Sequence, residues 1–390
     1  MAALAGVHFN AVFFQVRGQA DVLYPSPYEV WSPLVGGQDP GWDPLAYAIE
    51  AAHAHGLEFH AYINTHTCWQ SVPGPAHTLP QDPNHVFYAH CNAANPGARD
   101  WLHHDDPASP SQFNESDYVW FAPGVPAYQA YIRQQVLYVV QNYDVDGVHF
   151  DRIRTPGYGQ PSWDPISRAR FLSARTNPDG RDFSAWTADQ ITRQVRDIYA
   201  AIMAVRPYVK VSAAVYPDPD SAPVNQHQDA IAWAQAGALD MLVPMMYSAG
   251  GEGSQWDARL QTWLARAAGL TVQVVPGHSA GQGYTSLREQ IELTRWRGGA
   301  GNSVFSWSSF TYWGDYASGA YAVSAQTPAM AWKGGSGWGI LYGYVAGPDG
   351  ETFCYCKALA ARQPVPQNDR KPLGHCGKHV HPARRVGCVH

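Results

Sequence analysis

Asp146-Gly147-Val148-His149-Phe150-Asp151-Arg152 is the stretch from which the fold is read. Val148-His149-Phe150 is a short apolar run that suits a buried strand, and it ends on a carboxylate. Ahead of it, from Pro126, the residues Tyr128, Ile132, Val136 and Val139 recur at helical spacing. The pair therefore reads as a helix feeding a buried strand.

The same order repeats along the chain. Asp43 suits a helix N-cap, Pro44 suits the first helical position, and Leu45, Ala48, Ile49 and Ala52 form an apolar face. Gly56 can end that helix in a left-handed turn, and Glu58 to Asn64 follows as a strand. Ile191 to Val205 precedes Val209 to Val215, and Ile231 to Ala236 precedes Asp240 to Tyr247. Leu260 to Ala268 precedes Thr271 to Val275, and Leu287 to Trp296 precedes Asn302 to Trp307. Phe9 to Val16 is the first strand and follows only a helical stub, Ala2 to Gly6. Strict helix–strand alternation with near-continuous apolar strands predicts a parallel sheet covered on both faces. The expected fold is α/β, a (β/α)8 TIM-type barrel. Seven strands are counted where a closed barrel has about eight, so strand one is expected to precede Met1.

Three segments stand apart from this repeat. Residues 65–124 form a long inserted loop rich in aromatics, read as lining substrate, as packing on itself, or as both. Residues 331–350 read as a linker, Gly334-Gly335-Ser336-Gly337, and the opening of a small β-sandwich-like module. Residues 351–390 lose periodicity and are expected to be a poorly ordered tail. Its Cys354, Cys356, Cys376 and His379 match no zinc-finger spacing. The six cysteines do not read as a disulfide framework across the fold.

Composition narrows the function classes. Net charge is −6 without a long run of either sign, which argues against nucleic acid as partner. No apolar stretch is long enough for a transmembrane helix. Met1 to Gly6 is too short and uncharged for a signal peptide. Trp and Tyr number 15 and 22, and such rings can cover the apolar faces of sugars while keeping a polar handle.

Loops that follow strands form the functional face of such barrels, so residues at strand ends carry the chemistry. Asp151 is the leading catalytic candidate, as nucleophile or acid in glycoside cleavage. Arg152 and Arg154 beside it favour the ionised form and hence the nucleophile. Its structural alternative is a salt bridge to Arg17 or Arg154. Gln15 and Arg17 end a strand; Arg17 either grips a sugar or pairs with Asp21. Asn64 is a ligand-binding candidate, whereas His60 reads as a hydrogen-bonded core residue. Asp144 and Asp146 read as turn caps. For a second carboxylate, Asp218, Asp220, Glu252 and Asp315 stand open, with Asp218 and Glu252 taken as the candidates. Tyr247 and Trp307 end later strands, as a hydrogen-bonding group and the floor of a sugar subsite. No cofactor is expected, and no His/Asp set is clustered enough for metal-dependent deacetylation.

Several segments in order carry a family resemblance. They are Asn10-Ala11-Val12-Phe13-Phe14-Gln15-Val16-Arg17, Asp21 to Ser26, Glu29-Val30-Trp31-Ser32, Asp39 to Leu45, His60 to Asn64, Tyr143 to Asp151 and Pro244-Met245-Met246-Tyr247. From Phe9 to Phe310 the chain resembles the glycosyl hydrolase-like 10 proteins. The resemblance implies a TIM-type barrel that hydrolyses O-glycosidic bonds in cell-envelope or extracellular polysaccharide. It also implies an extracytoplasmic location, because members are often exported. Arg152 stands where relatives carry an acidic or aromatic residue. Thr65-His66-Thr67 replaces a Pro-Tyr-Arg continuation. The alternative function is a catalytically impaired, carbohydrate-binding barrel.

Overall fold

A computed structural model describes residues 1–72, 76–108, 110–157 and 159–333, together with the backbone of 338–346 and 352–361. The chain divides into two compact units, Met1–Ala329 and Met330–His390.

The first unit is built on parallel strands that pair in chain order. They are β1 (Ala11–Arg17), β2 (Glu58–Asn64), β3 (Gly147–Asp151), β4 (Lys210–Val215), β5 (Met241–Pro244), β6 (Gln273–Val274), β7 (Gly277–Ser279) and β8 (Ser303–Phe305). β1 to β6 form one sheet, and β7 pairs with β8. β6 and β7 are two halves of one interrupted strand: β6 pairs with β5, and Gly277 bridges Met245 beyond it. The seven strands expected from the apolar pattern are therefore present in the expected order. Among the described residues no ladder joins β8 back to β1. Val7, Phe310, Tyr316 and Ala320 are buried between these ends, with Phe9 and Val304 packed against them.

Helices precede these strands as the periodicity predicts. Asp43 accepts from the backbone N–H groups of Leu45 and Ala46, both at 3.0 Å, and Pro44 opens helix Pro44–His53. Helix Pro126–Asn142 buries Tyr128, Ile132, Val136 and Val139 ahead of β3. Helix Phe183–Val205 does the same ahead of β4 with Ile191, Val195, Ile198 and Ile202.

Side chains alternate along β2. Phe59, Ala61 and Ile63 are fully buried on one face. His60 and Tyr62 share the other face with Phe13 of β1 and His149 of β3, whose rings lie within 5.2 Å of one another in sequence. Gly147 has to be glycine here, because a Cβ would sit 2.2 Å from His60 Nδ1. At the lower end of this face Glu58 accepts from Lys210 at 2.6 and 2.8 Å and from Thr327 at 2.5 Å.

The inserted segment has its own order. Thr67–Gln70 pairs antiparallel with Tyr118–Trp120, and helix Val86–His90 lies between them in sequence. His90 stacks on Trp101 at 3.7 Å, and Trp120 and Phe121 are fully buried. The segment packs on itself.

In the second unit Trp338–Ala346 pairs antiparallel with Thr352–Ala361. A strand thus runs through 352–361, where the sequence shows no period. The linker at 334–337, the side chains of Cys354 and Cys356, and the tail from 362 onward lie outside the described residues.

Candidate functional site

Asp151 ends β3 opposite Asn64, the last residue of β2. Four groups hold its carboxylate. The Tyr62 hydroxyl donates to Oδ2. The Arg152 backbone N–H donates to Oδ1 at 2.6 Å. Arg152 adopts φ +55°, a left-handed conformation uncommon for a side-chain-bearing residue, and this turn aims its N–H at the preceding side chain. Arg154 Nη1 lies 3.6 Å from Oδ1, and the Arg152 guanidinium adds positive charge. Burial alone would raise the Asp151 pKa. Arg154, Arg152 and the Tyr62 hydrogen bond outweigh it and hold the carboxyl below its usual value. Asp151 is therefore an ionised carboxylate at the mouth of the sheet.

The structural alternative for Asp151 is met in part, since Arg154 does pair with it, whereas Arg17 does not. Arg17 is a correction to the sequence-based site. A bulge in β1 places Gln15 against Tyr62 but Arg17 against Ile63, so one extra residue turns Arg17 to the opposite face. There its guanidinium pairs with Glu29 at 2.7 Å and donates to the Asn64 carbonyl, with both charged side chains fully buried. Arg17 neither reaches the mouth nor takes Asp21 as its partner. Gln15, before the bulge, stays exposed on the side of Tyr62.

The carboxylate that shares Asp151's arginines is Glu115, on the inserted segment. Arg154 Nη2 lies 3.4 Å from Glu115 Oε1, and Arg152 Nη1 lies 3.8 Å from the same oxygen. Gly157 N–H donates to Glu115 Oε2 at 2.9 Å. One guanidinium thus touches both acids, which keeps them within about 10 Å, the span of paired acids in glycoside cleavage. Aromatic rings frame the arginines. Arg152 lies over Tyr118 at 4.3 Å, and Arg154 lies over Trp120 at 5.4 Å and Tyr216 at 5.1 Å. The inserted segment therefore also reaches the site.

The remaining expected residues separate into two groups. Tyr247 stands within electrostatic reach of Asp151, and burial and that charge raise its pKa. It stacks on Phe305 at 5.5 Å. Among the described residues Asn64 Oδ1 is buried with no hydrogen-bond partner, and so is Nε of Arg154. Trp307 is half exposed and edge-on to Trp313 at 4.8 Å.

Asp218, by contrast, accepts from the backbone N–H groups of Asp220 and Ser221, a turn-capping role. Glu252 is exposed and influences Arg297. Asp315 is exposed in helix Trp313–Asp315. Among the described residues no hydrogen bond or ion pair brings any of these three to Asp151.

His149 and His60 lie just beneath. His149 bonds Ser212 Oγ at 2.8 Å, and burial lowers its pKa to about 3, so it is neutral. His60 bonds Glu58 at 3.1 Å, the core role expected of it. Asp146 accepts from Phe59 N–H and bonds His53, both at 2.8 Å, away from the site.

The residues that sequence reasoning missed are Tyr62, Glu115 and Tyr216, whereas Tyr118 and Trp120 belong to the aromatic insertion read as lining substrate or packing on itself. Tyr62 carried a signal, since it lies two positions before Asn64 and so on the same face. Glu115 carried none, lying deep in the insertion. Among the described residues no group of three or more His, Cys, Asp or Glu side chains is placed to hold a metal ion. No helix among them is long and apolar enough to cross a membrane.

Comparisons with known proteins concern the family and the fold. Glycosyl hydrolase YngK of Bacillus subtilis (strain 168) is 30% identical over 293 residues, covering 70% of this chain and 52% of that protein. Glycosyl hydrolase DigH of Escherichia coli (strain K12) is 26% identical over 261 residues, covering 61% of this chain and 54% of that protein. The chain spans about half the length of these curated relatives. Among solved structures, an alpha-L-fucosidase isoenzyme 2 from Paenibacillus thiaminolyticus aligns with TM-score 0.54 at 17% identity, over 81% of this chain and 45% of that one. The catalytic domain of a beta-amylase from Paenibacillus polymyxa aligns with TM-score 0.53 at 13% identity, over 79% and 87%. These two likenesses concern the fold, a TIM-type α/β barrel. The glycosyl hydrolase-like 10 family model matches residues 1–290. The chain belongs to the glycosyl hydrolase-like 10 family.

Proposed function

We propose that this protein hydrolyses O-glycosidic bonds in a cell-envelope or extracellular polysaccharide, acting outside the cytoplasm and without a cofactor. The observation that carries this reading is the ionised Asp151 at the end of β3, fixed by Tyr62 and Arg154 beside a second carboxylate. A fixed anion at that position can attack the anomeric carbon or stabilise the cationic sugar of the transition state. Glu115 is the partner carboxylate, in place of Asp218 or Glu252. Gln15, Asn64, Arg152, Arg154 and Tyr247 surround the cleavage point. The unpartnered Asn64 Oδ1 suits a sugar hydroxyl, and Trp307 offers a face to a further ring.

A second reading is a barrel that binds glycan without cleaving it. The ionised state of Asp151 favours it, because hydrolysis also needs a carboxyl that keeps its proton, and the arginines beside Asp151 deny it that role. Incubation with peptidoglycan glycan strands and a polysaccharide panel separates the two. New reducing ends support hydrolysis. Retention on a glycan affinity gel with no new reducing ends selects binding.

A further inference from the structure

Beside Glu115 lies a cavity of about 310 Å³. Two elements line it. The inserted segment contributes His103, Asp105, Asn114 and Glu115, and the loop after β3 contributes Gly157 and Gln160. Backbone contacts fix these walls. The His103 N–H donates to the Trp120 carbonyl at 2.8 Å, and Asn114 and Tyr118 exchange hydrogen bonds at 2.7 and 2.8 Å. The three residues between that pair, all at positive φ, form the tight loop that carries Glu115. His103 is only 1% exposed, and among the described residues its Nδ1 has no hydrogen-bond partner. Burial lowers the His103 pKa to about 3, so the ring is neutral. Asp105 is half-buried, and its Oδ1 accepts from the Ser111 N–H at 2.7 Å. Partial burial would raise the Asp105 pKa, but the hydrogen bonds of Ser111 outweigh that and keep the carboxyl ionised.

We propose that this cavity is a subsite for a sugar ring bearing a free amine, a 2-amino-2-deoxy unit without an acyl group. The inference rests on the reading of Asp151 and Glu115 as the cleavage point. Among the described lining residues there are two carboxylates and no lysine or arginine. Arg152 and Arg154 are taken up by Glu115 and Asp151, and among the described residues no ion pair engages Asp105. A protonated amine supplies the missing positive charge and donates hydrogen bonds that ionised carboxylates accept strongly. The ring hydroxyls suit the rest of the wall, because the Asn114 and Gln160 amides each donate and accept, and neutral His103 offers its unpartnered nitrogen. An N-acetyl group in the same place would take water from the carboxylates and return no charge. The carboxylate of an acidic sugar would meet like charge. The net charge of −6 acts in the same direction, since it draws cationic chains and repels acidic ones.

The test reads binding apart from cleavage. The full chain is titrated calorimetrically with a sulfur-linked β-1,4-glucosamine trimer, which resists hydrolysis, and with its fully N-acetylated counterpart. The free-amine trimer is expected to bind about 10-fold more tightly, an advantage that shrinks as salt is raised. Asp105→Asn keeps the acceptor for Ser111 and removes the charge. It is expected to weaken binding of the free-amine trimer about 10-fold and to leave the N-acetylated trimer unchanged. Glu50→Gln removes an exposed charge on helix Pro44–His53 and is expected to change neither affinity. Equal affinity for the two trimers overturns the proposal, and so does failure to bind the free-amine trimer. A preference that survives Asp105→Asn, or that Glu50→Gln abolishes as well, also overturns it. Amine-selective binding by a chain that releases no reducing ends from oxygen-linked glycans would keep the subsite and remove hydrolysis. Release of reducing ends without amine selectivity would keep hydrolysis and remove the subsite.

Discussion

Tyr62 and Asp151 are joined across adjacent strands, the Tyr62 hydroxyl donating to Asp151 Oδ2 from the residue two places before Asp151's register partner. The bond stabilises the carboxylate, and burial first and the charge of Asp151 second raise the Tyr62 pKa well above its ordinary value. Tyr62→Phe keeps the ring against His149 and removes only the hydroxyl. A hydrogen bond to a charged group contributes about 1.5–3 kcal/mol, so kcat is expected to fall about 10- to 100-fold. The apparent pKa of the acidic limb of kcat is expected to rise. An unchanged rate and profile would remove Tyr62 from the site.

Arg17→Ala distinguishes a structural arginine from a sugar-gripping one. Glu29 would be left charged and buried, with Tyr131 as its remaining partner at 2.6 Å. The expected loss is about 3–5 kcal/mol in a denaturant titration. A stable Arg17→Ala variant that only weakened glycan binding would contradict the placement seen here.

Gly147→Ala tests the packing beneath the site. The added methyl would sit against His60 Nδ1 and backbone or ring must shift, at a cost of about 1–3 kcal/mol. Chemical denaturation reads this directly, and an unchanged midpoint would mean that His60 moves aside freely.

Acid should destabilise this fold through its buried histidines. Burial lowers His149 to about 3, and His66, His85 and His227 to about 4. Each is neutral when folded and takes a proton near pH 6.5 when unfolded. The unfolded chain thus binds more protons below pH 6.5, and stability falls as pH drops from there toward 3. At pH 5, calorimetry in buffers of different ionisation heat should show His149→Gln taking up about one proton fewer on unfolding than the wild type. Equal uptake would mean that His149 is not held neutral.

The strands and their order were legible because each is a near-continuous apolar run after an amphipathic helix, as in Tyr128 to Val139 before Val148 to Phe150. Asp151 was legible because it follows such a run. The reversal of Arg17 was not, since a single bulged residue changes the face of everything beyond it and leaves no mark in the apolar pattern. Glu115 was hidden for a different reason. Its contact with Arg154 joins positions 39 apart through an insertion whose path is set by its own packing, by Trp101, Trp120 and Phe121 among others. Asp218 drew attention by nearness to a strand end, yet its oxygen is taken up by the backbone of its own turn.

The central claim is that a carboxylate at position 151 is needed to break a glycosidic bond. Reducing-end release from glycan strands by wild type and by Asp151→Asn, both confirmed as folded, tests it most directly. The substitution keeps the shape of the side chain and removes its charge. The account predicts a drop in rate of about 1,000-fold or more with glycan retention preserved. Equal release by the two proteins would contradict it.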